Sequence, residues 1–173
     1  MVNHFWKEMI ADITHDHIKI PDPALNVVLY QPEIPANTGN IARLCGAAMI
    51  RLHLVHPLGF QLDDKHLKRA GLDYWHKVDI IQHTSFEEFI RGEENIEGRI
   101  YSYSRFAEPD YTKANIKHGD YLLFGQETLG LPLEIREKYP CFRIPIMGRV
   151  RSLNLSTTVG IVVYHYLHKM GHF

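Results

Sequence analysis

An α/β domain with a mainly parallel sheet and helices on both faces is the fold this sequence predicts. Three observations carry the prediction. From Leu25 onward, apolar segments of strand length alternate with segments of helical period, the rhythm of strands joined by short helical crossovers. The 173 residues are 45% apolar, which suits one folded core. No repeat or low-complexity segment competes with this reading.

The first 24 residues stand apart. Phe5, Trp6, Met9, Ile10 and Ile13 recur at helical spacing until Pro21 and Pro23 break the pattern. An appended amphipathic helix in residues 1–24 is therefore expected, ahead of a domain spanning 25–173. His15 and His17 lack further ligands at metal-binding spacing and read as surface residues. The domain predicts a strand at 25–30, a helix opening near Asn37, a strand at 51–55, a helix from Asp63, a strand at 78–81 and a helix from Ser85. Strands near 99–103 and at 120–124 follow, then a short helix near 132–138, a strand at 142–146 and a long last helix from about Leu153 to Met170.

Nineteen Lys and Arg against 20 Asp and Glu leave a formal charge of −1, so no global field holds a polyanion. A nucleic-acid partner requires local patches. In the segment 43–77, Arg43, Arg51, Lys65, Lys68, Arg69 and Lys77 outnumber Asp63, Asp64 and Asp73, and Arg143, Arg149 and Arg151 stand without acids. A solvated surface is the plain alternative. Acidic charge gathers at Glu87, Glu88, Glu93, Glu94 and Glu97, the pattern of an exposed helix face and its following loop. Cys45 and Cys141 lie far apart in apolar surroundings, which suits a reducing compartment. No apolar run reaches the roughly 20 residues of a membrane span, and no signal-peptide core opens the chain. A cytoplasmic location and no membrane partner are expected.

Parallel sheets bind ligands outside the carboxyl ends of their strands, and three segments there are unusual. In the first, Pro32-Glu33-Ile34-Pro35-Ala36-Asn37-Thr38-Gly39-Asn40-Ile41-Ala42-Arg43 follows strand 25–30. A well-capped helix start explains its Asn and Gly residues. Alternatively, its amides and Asn37 hold a ribose and phosphate together with Arg43. Arg43 is the strongest single candidate for chemistry, because a guanidinium offers forked donors to a phosphate or a developing alkoxide.

The second segment, Phe124-Gly125-Gln126-Glu127-Thr128-Leu129-Gly130, places a carboxylate between two glycines after a buried strand. It reads either as a plain turn or as a site where Gly125 admits a ligand to the backbone. In the third, Arg151, Ser152, Asn154 and Ser156 cluster at the entrance of the last helix. One cap needs only one such residue, and the surplus points to a site.

The chain has no dinucleotide glycine loop, no P-loop lysine motif, no serine nucleophile elbow and no metal cage. Its 12 histidines include His53, His56, His66, His76, His83 and His118, scattered without a nucleophile partner. No metal is expected.

Taken in order, Asn37-x-Gly-Asn-x-x-Arg43, Phe-Gly125-x-Glu127-x-x-Gly130 and Ile144-Pro145 with Arg151-Ser152-Leu-Asn154-Leu-Ser156 resemble the three motifs of the SPOUT 2′-O-ribose RNA methyltransferases. Val28-Leu29-Tyr30-Gln31-Pro32-Glu33-Ile34-Pro35, Arg51-Leu52-His53-Leu54-Val55 and Leu67-Lys68-Arg69-Ala70-Gly71-Leu72-Asp73-Tyr74 are similar to the small YibK/TrmL branch. The similarity covers about residues 25–170.

The resemblance implies a homodimer whose last helix threads a trefoil knot, a rare exception to unknotted topology, with S-adenosylmethionine bound in the knot. By motif position, Tyr103, Gly125, Ile144 and Ser152 would bind that cofactor. Tyr103-Ser104-Arg105-Phe106 stands where the branch usually carries a Leu-Thr-Thr-Lys-Gly type of sequence. Arg43 would bind the substrate 2′-hydroxyl and promote its deprotonation or stabilise the oxyanion, in a site shaped by Asn37, Glu127, Ser152 and Asn154. Tyr164 matches a position linked to RNA binding, with ordinary packing as its alternative.

The branch methylates the ribose of the wobble cytidine or modified uridine of leucine tRNAs, and the resemblance extends that expectation to this chain. Two alternatives share its features. One is 2′-O-methylation at another tRNA position or in ribosomal RNA; the other is a non-catalytic RNA-binding factor on the same scaffold, which would be expected to lose Arg43 or the Ser152 and Asn154 cluster.

Overall fold

The computed structural model describes residues 18–61, 75–92 and 96–173. The amphipathic pattern of residues 1–17, the helix expected from Asp63 and the Leu67–Tyr74 similarity lie outside the described residues. Among the described residues six strands form one sheet: β1 (Leu25–Tyr30), β2 (Arg51–Val55), β3 (Ile80–His83), β4 (Ile100–Tyr103), β5 (Asp120–Phe124) and β6 (Cys141–Phe142). Their order is β3-β2-β1-β5-β4-β6, and every pairing is parallel. The expected parallel α/β class is borne out.

Side-chain alternation on the strands divides the core into two layers. Leu25, Val27 and Leu29 face one layer, where they meet Ile41, Ala42 and Cys45 of α1 (Pro35–Ala48) and Val159, Val162, Val163 and Tyr166 of α4 (Leu155–Lys169). Val28 and Leu123 face the other layer, with Phe89 of α2 (Phe86–Gly92) and Ile135 of α3 (Leu133–Lys138). Both faces of β1 are therefore dry, which explains its nearly unbroken apolar sequence.

Three boundaries differ from the sequence expectation, each for a local reason. The strand expected at 78–81 begins at Ile80, paired with Leu52, with Asp79 at the strand entrance. Its Oδ2 accepts from the Ile20 backbone N–H and Arg51 Nε, each at 2.8 Å, while Arg51 Nη2 donates to the Ile20 carbonyl. Arg51 thus secures the segment before β1 to the sheet. The strand expected at 142–146 stops at Phe142, since Arg143 pairs instead with the Pro109–Tyr111 segment through both its N–H and carbonyl. The last helix starts at Leu155, capped by Asn154, whose Oδ1 accepts from the Ser156 and Thr157 amides.

Candidate functional site

The loops after β1 and β5 leave the carboxyl end of the sheet side by side. Chain direction across the sheet changes here: β1 is followed by β2 on one side, while its other neighbour is β5. A crevice at such a switch is the expected binding position in an open parallel sheet. A cleft of about 310 Å³ occupies it, floored by Phe124, Phe142, Ile144 and Leu153 and edged by Asn37, Glu127 and Asn154. Small-molecule sites span roughly 300–1,000 Å³, with apolar walls and a few placed polar groups.

Those polar groups form one connected network. Glu127 Oε2 accepts from the Glu33 amide at 2.8 Å, and Oε1 accepts from the Ile34 amide at 3.2 Å and from Asn37 Nδ2 at 3.1 Å. Glu33 reciprocates, its carboxylate accepting from the Thr128 amide at 2.9 Å and from the Thr128 hydroxyl. The two loops are therefore clasped by two carboxylates, each satisfied by the opposite loop. Asn37 Oδ1 in turn accepts from Asn154 Nδ2 at 2.9 Å. The three sequence motifs thus meet at the carboxamide of Asn37, a residue only 6% exposed.

This arrangement changes how the first motif works. Asn37 does not cap α1. The helix opens at Pro35 with Ile34 as its N-cap, which provides no side-chain cap. Glu127, from another segment of the chain, instead accepts from the Glu33 and Ile34 amides just ahead of the helix, placing negative charge where the α1 dipole favours it. Proline at the first helical position needs no partner for an N–H.

Gly125 borders the cleft, and the protein's own backbone also requires a glycine there. A Cβ there would lie 2.2 Å from the Gly130 carbonyl carbon and 2.3 Å from the Leu131 nitrogen. The protein's own backbone fills the space, closing a loop in which Gln126 and Gly130 exchange N–H···O bonds at 3.3 and 3.0 Å. Gly130 holds a positive φ of 72°, open to glycine without penalty.

Tyr103 ends β4 and stacks on Phe124, ring centroids 5.0 Å apart. Burial is the main cause that pushes its phenol well above the usual range, so the group stays protonated. Ser152 and Ile144 border the same cleft, with Ser152 exposed and Ile144 half-buried. Arg43 and Tyr164 do not border it. Arg43 is exposed on α1. Its six-residue separation from Asn37 turns it by roughly 120° around the helix axis, at about 100° per residue. Arg43 therefore lies on the exposed face of α1, beside the cleft's border and not within it. Tyr164 is 44% exposed on α4, its ring 5.7 Å from that of Phe173.

Sequence reading missed Arg105, Phe106, Thr128 and Leu129, which also border the cleft. The proximity of Glu127 to Glu33 was not legible, because it depends on β5 inserting beside β1. Among the described residues there is no cluster of three or more His, Cys, Asp or Glu able to hold a metal ion, and no helix long and apolar enough to cross a membrane.

Fold and cleft together define a parallel α/β protein with a cleft at its topological switch, on which polar groups from three loops converge. Residues 24–164 match the SpoU rRNA methylase family, and the chain belongs to that family. It is 42% identical over 151 residues to the Escherichia coli K12 tRNA (cytidine(34)-2′-O)-methyltransferase, covering 86% of this chain and 95% of the relative. A solved structure described as giving structural insights into the 2-OH methylation of C/U34 on tRNA matches with a TM-score of 0.79 and 46% identity, over 85% of this chain and 97% of the other. An AdoMet-bound rRNA methyltransferase from Sinorhizobium meliloti matches at 0.73 with 25% identity, over 88% and 59% of the two chains.

Proposed function

We propose that this protein transfers a methyl group from S-adenosylmethionine to the ribose 2′-hydroxyl of the wobble nucleotide of tRNA, a cytidine or modified uridine, with leucine isoacceptors as substrates. The Asn37 junction carries the reading: it joins all three motifs at one cleft. The extent of similarity to the tRNA wobble methyltransferase supports the substrate assignment over ribosomal RNA.

The residues present fit the cofactor. Apolar surfaces of Phe124, Ile144 and Leu153 suit an adenine ring, while the polar Asn37, Ser152 and Asn154 edge suits ribose and amino-acid groups. When bound, S-adenosylmethionine supplies an activated methyl on a sulfonium, so the protein need only align the hydroxyl and stabilise charge developing on oxygen. Asn37, Glu127 and Asn154 hold the cleft walls in register. Tyr103, Gly125, Ile144 and Ser152 form the cofactor wall, with Gly125 acting through loop closure. Exposed Arg43 draws the 2′-hydroxyl toward its oxyanion form, and Tyr164 offers an exposed ring to the RNA.

The functional unit in this reading is a homodimer with a trefoil knot at the last helix. Two contacts support the threading: Asn154 at the start of α4 reaches α1, and the Tyr166 hydroxyl donates to the Tyr111 and Ala114 carbonyls between β4 and β5. The activity is tested by incubating the protein with methyl-labelled S-adenosylmethionine and bulk tRNA, then identifying the product nucleosides by mass spectrometry. Ribose-methylated cytidine or uridine is expected; label on a base contradicts the proposal.

A further inference from the structure

Beside the cleft, one aromatic ring is held in an unusual position for an apolar group. Phe106 is 58% exposed, yet it borders the cleft along with Arg105. The Arg105 guanidinium carbon lies 4.6 Å from its ring centroid, and that of Arg136 lies 5.0 Å away. The two cations come from different elements. Arg105 follows β4, whereas Arg136 belongs to α3 and is fixed by donation from Nε to the Leu131 carbonyl at 3.2 Å. A turn fixes the ring, with the Phe106 amide donating to the Ser104 hydroxyl oxygen at 3.3 Å and the Ala107 amide to the Ser104 carbonyl at 3.2 Å.

Among the described residues, neither guanidinium is in an ion pair with a carboxylate. Their contacts with the ring orient them without neutralising them. The protein carries a net charge of −1, so affinity for a polyanion has to come from such local groups. An exposed ring flanked by uncompensated arginines matches the requirements of single-stranded nucleic acid: a flat surface for a base and cations for adjoining phosphates.

We propose that Phe106, Arg105 and Arg136 form an RNA subsite at the cleft mouth, where Phe106 stacks on a base next to the target nucleotide and the arginines hold its phosphates. This inference rests on the proposed RNA substrate and adds to it a specificity element. Stacking tolerates any base, so the subsite fixes the strand's position without selecting its sequence.

The test uses an anticodon stem-loop RNA carrying cytidine at position 34, with binding measured by fluorescence anisotropy and methyl transfer followed in parallel. Phe106→Ala should weaken RNA binding about tenfold, while Phe106→Tyr retains most affinity and S-adenosylmethionine affinity stays within about twofold in both. Arg105→Gln and Arg136→Gln should each reduce the slope of log K against log salt by about 0.7. Unchanged RNA affinity in Phe106→Ala, alongside a wild type that methylates the RNA ribose, overturns this inference alone. Weakened cofactor binding or altered protomer association in Phe106→Ala also overturns it, by assigning the ring to the cofactor or to a protein interface. A wild type that transfers no methyl to any tRNA ribose overturns the functional reading and this inference with it.

Discussion

Asn154 donates through Nδ2 to Asn37 Oδ1 at 2.9 Å, joining residues 117 apart in sequence. The same Asn154 caps α4 through its other amide atom, and the same Asn37 donates to Glu127. Each of these side chains therefore satisfies one element while positioning another. The cleft has its shape because both ends of the Asn37 amide are engaged.

Replacing Asn37 tests that dependence. Asn37→Ala removes a donor from Glu127 and an acceptor from Asn154, and should cost about 1–3 kcal/mol of stability. Misalignment of the cleft should lower methyl transfer by about tenfold to a hundredfold. Asn37→Asp keeps the shape but turns a second carboxylate oxygen toward Glu127 Oε1, where Nδ2 sits at 3.1 Å. At neutral pH it should be at least as damaging as alanine. Denaturant unfolding and single-turnover methylation check both effects; wild-type values in both assays contradict the network's role.

Gly125→Ala should be among the most damaging single-methyl substitutions in the protein. The added carbon would lie 2.2 Å from backbone carbon, with no flexible side chain able to yield. A loss of about 3 kcal/mol or more is expected from overpacking. Chemical denaturation gives the answer. A loss confined to cofactor affinity, with stability unchanged, would instead assign Gly125 to ligand approach.

The buried pair His53 and His83 predicts a pH dependence. Their Nδ1 and Nε2 atoms lie 2.9 Å apart, and His53 Nε2 meets Asn26 Oδ1 at 3.3 Å. Burial first, then the neighbouring His83 and Arg51, pushes the His53 pKa down to about 3. An unfolded histidine titrates near 6.5. Between those values the unfolded chain binds a proton that folded His53 refuses. The His53 contribution is therefore fully present above about pH 6.5 and is lost as pH falls toward about 3, by up to about 1.4 kcal/mol per pH unit. Unfolding midpoints measured from pH 8 to 5 should fall for the wild type and fall less steeply for His53→Phe. Parallel profiles would rule out His53 as the source.

Much of the fold was legible because strand-length apolar runs such as Leu25–Tyr30 and Asp120–Phe124 lie between recognisable breakers. Boundaries failed at residues engaged outside the expected ladder, Asp79 through its carboxylate and Arg143 through its backbone. Asp79 holds Ile20 and Arg51, and Arg143 turns to the Pro109–Tyr111 segment. The cleft was legible as residue types after strands. Its wiring was not: Glu127 meets Glu33 only because β5 lies beside β1, a consequence of strand order that local sequence does not encode. His53 and His83, scattered in sequence, become neighbours through the β2–β3 register for the same reason.

The most direct measurement is the position of methylation. Wild-type protein and Arg43→Ala, incubated with S-adenosylmethionine and leucine tRNA, should be compared by nuclease digestion and mass spectrometry of the anticodon fragment. A 2′-O-methyl on the wobble nucleotide, made by the wild type and reduced at least about a hundredfold in Arg43→Ala, is the predicted result. A methyl elsewhere in the tRNA, or undiminished transfer by Arg43→Ala, would contradict respectively the substrate assignment and the role of Arg43.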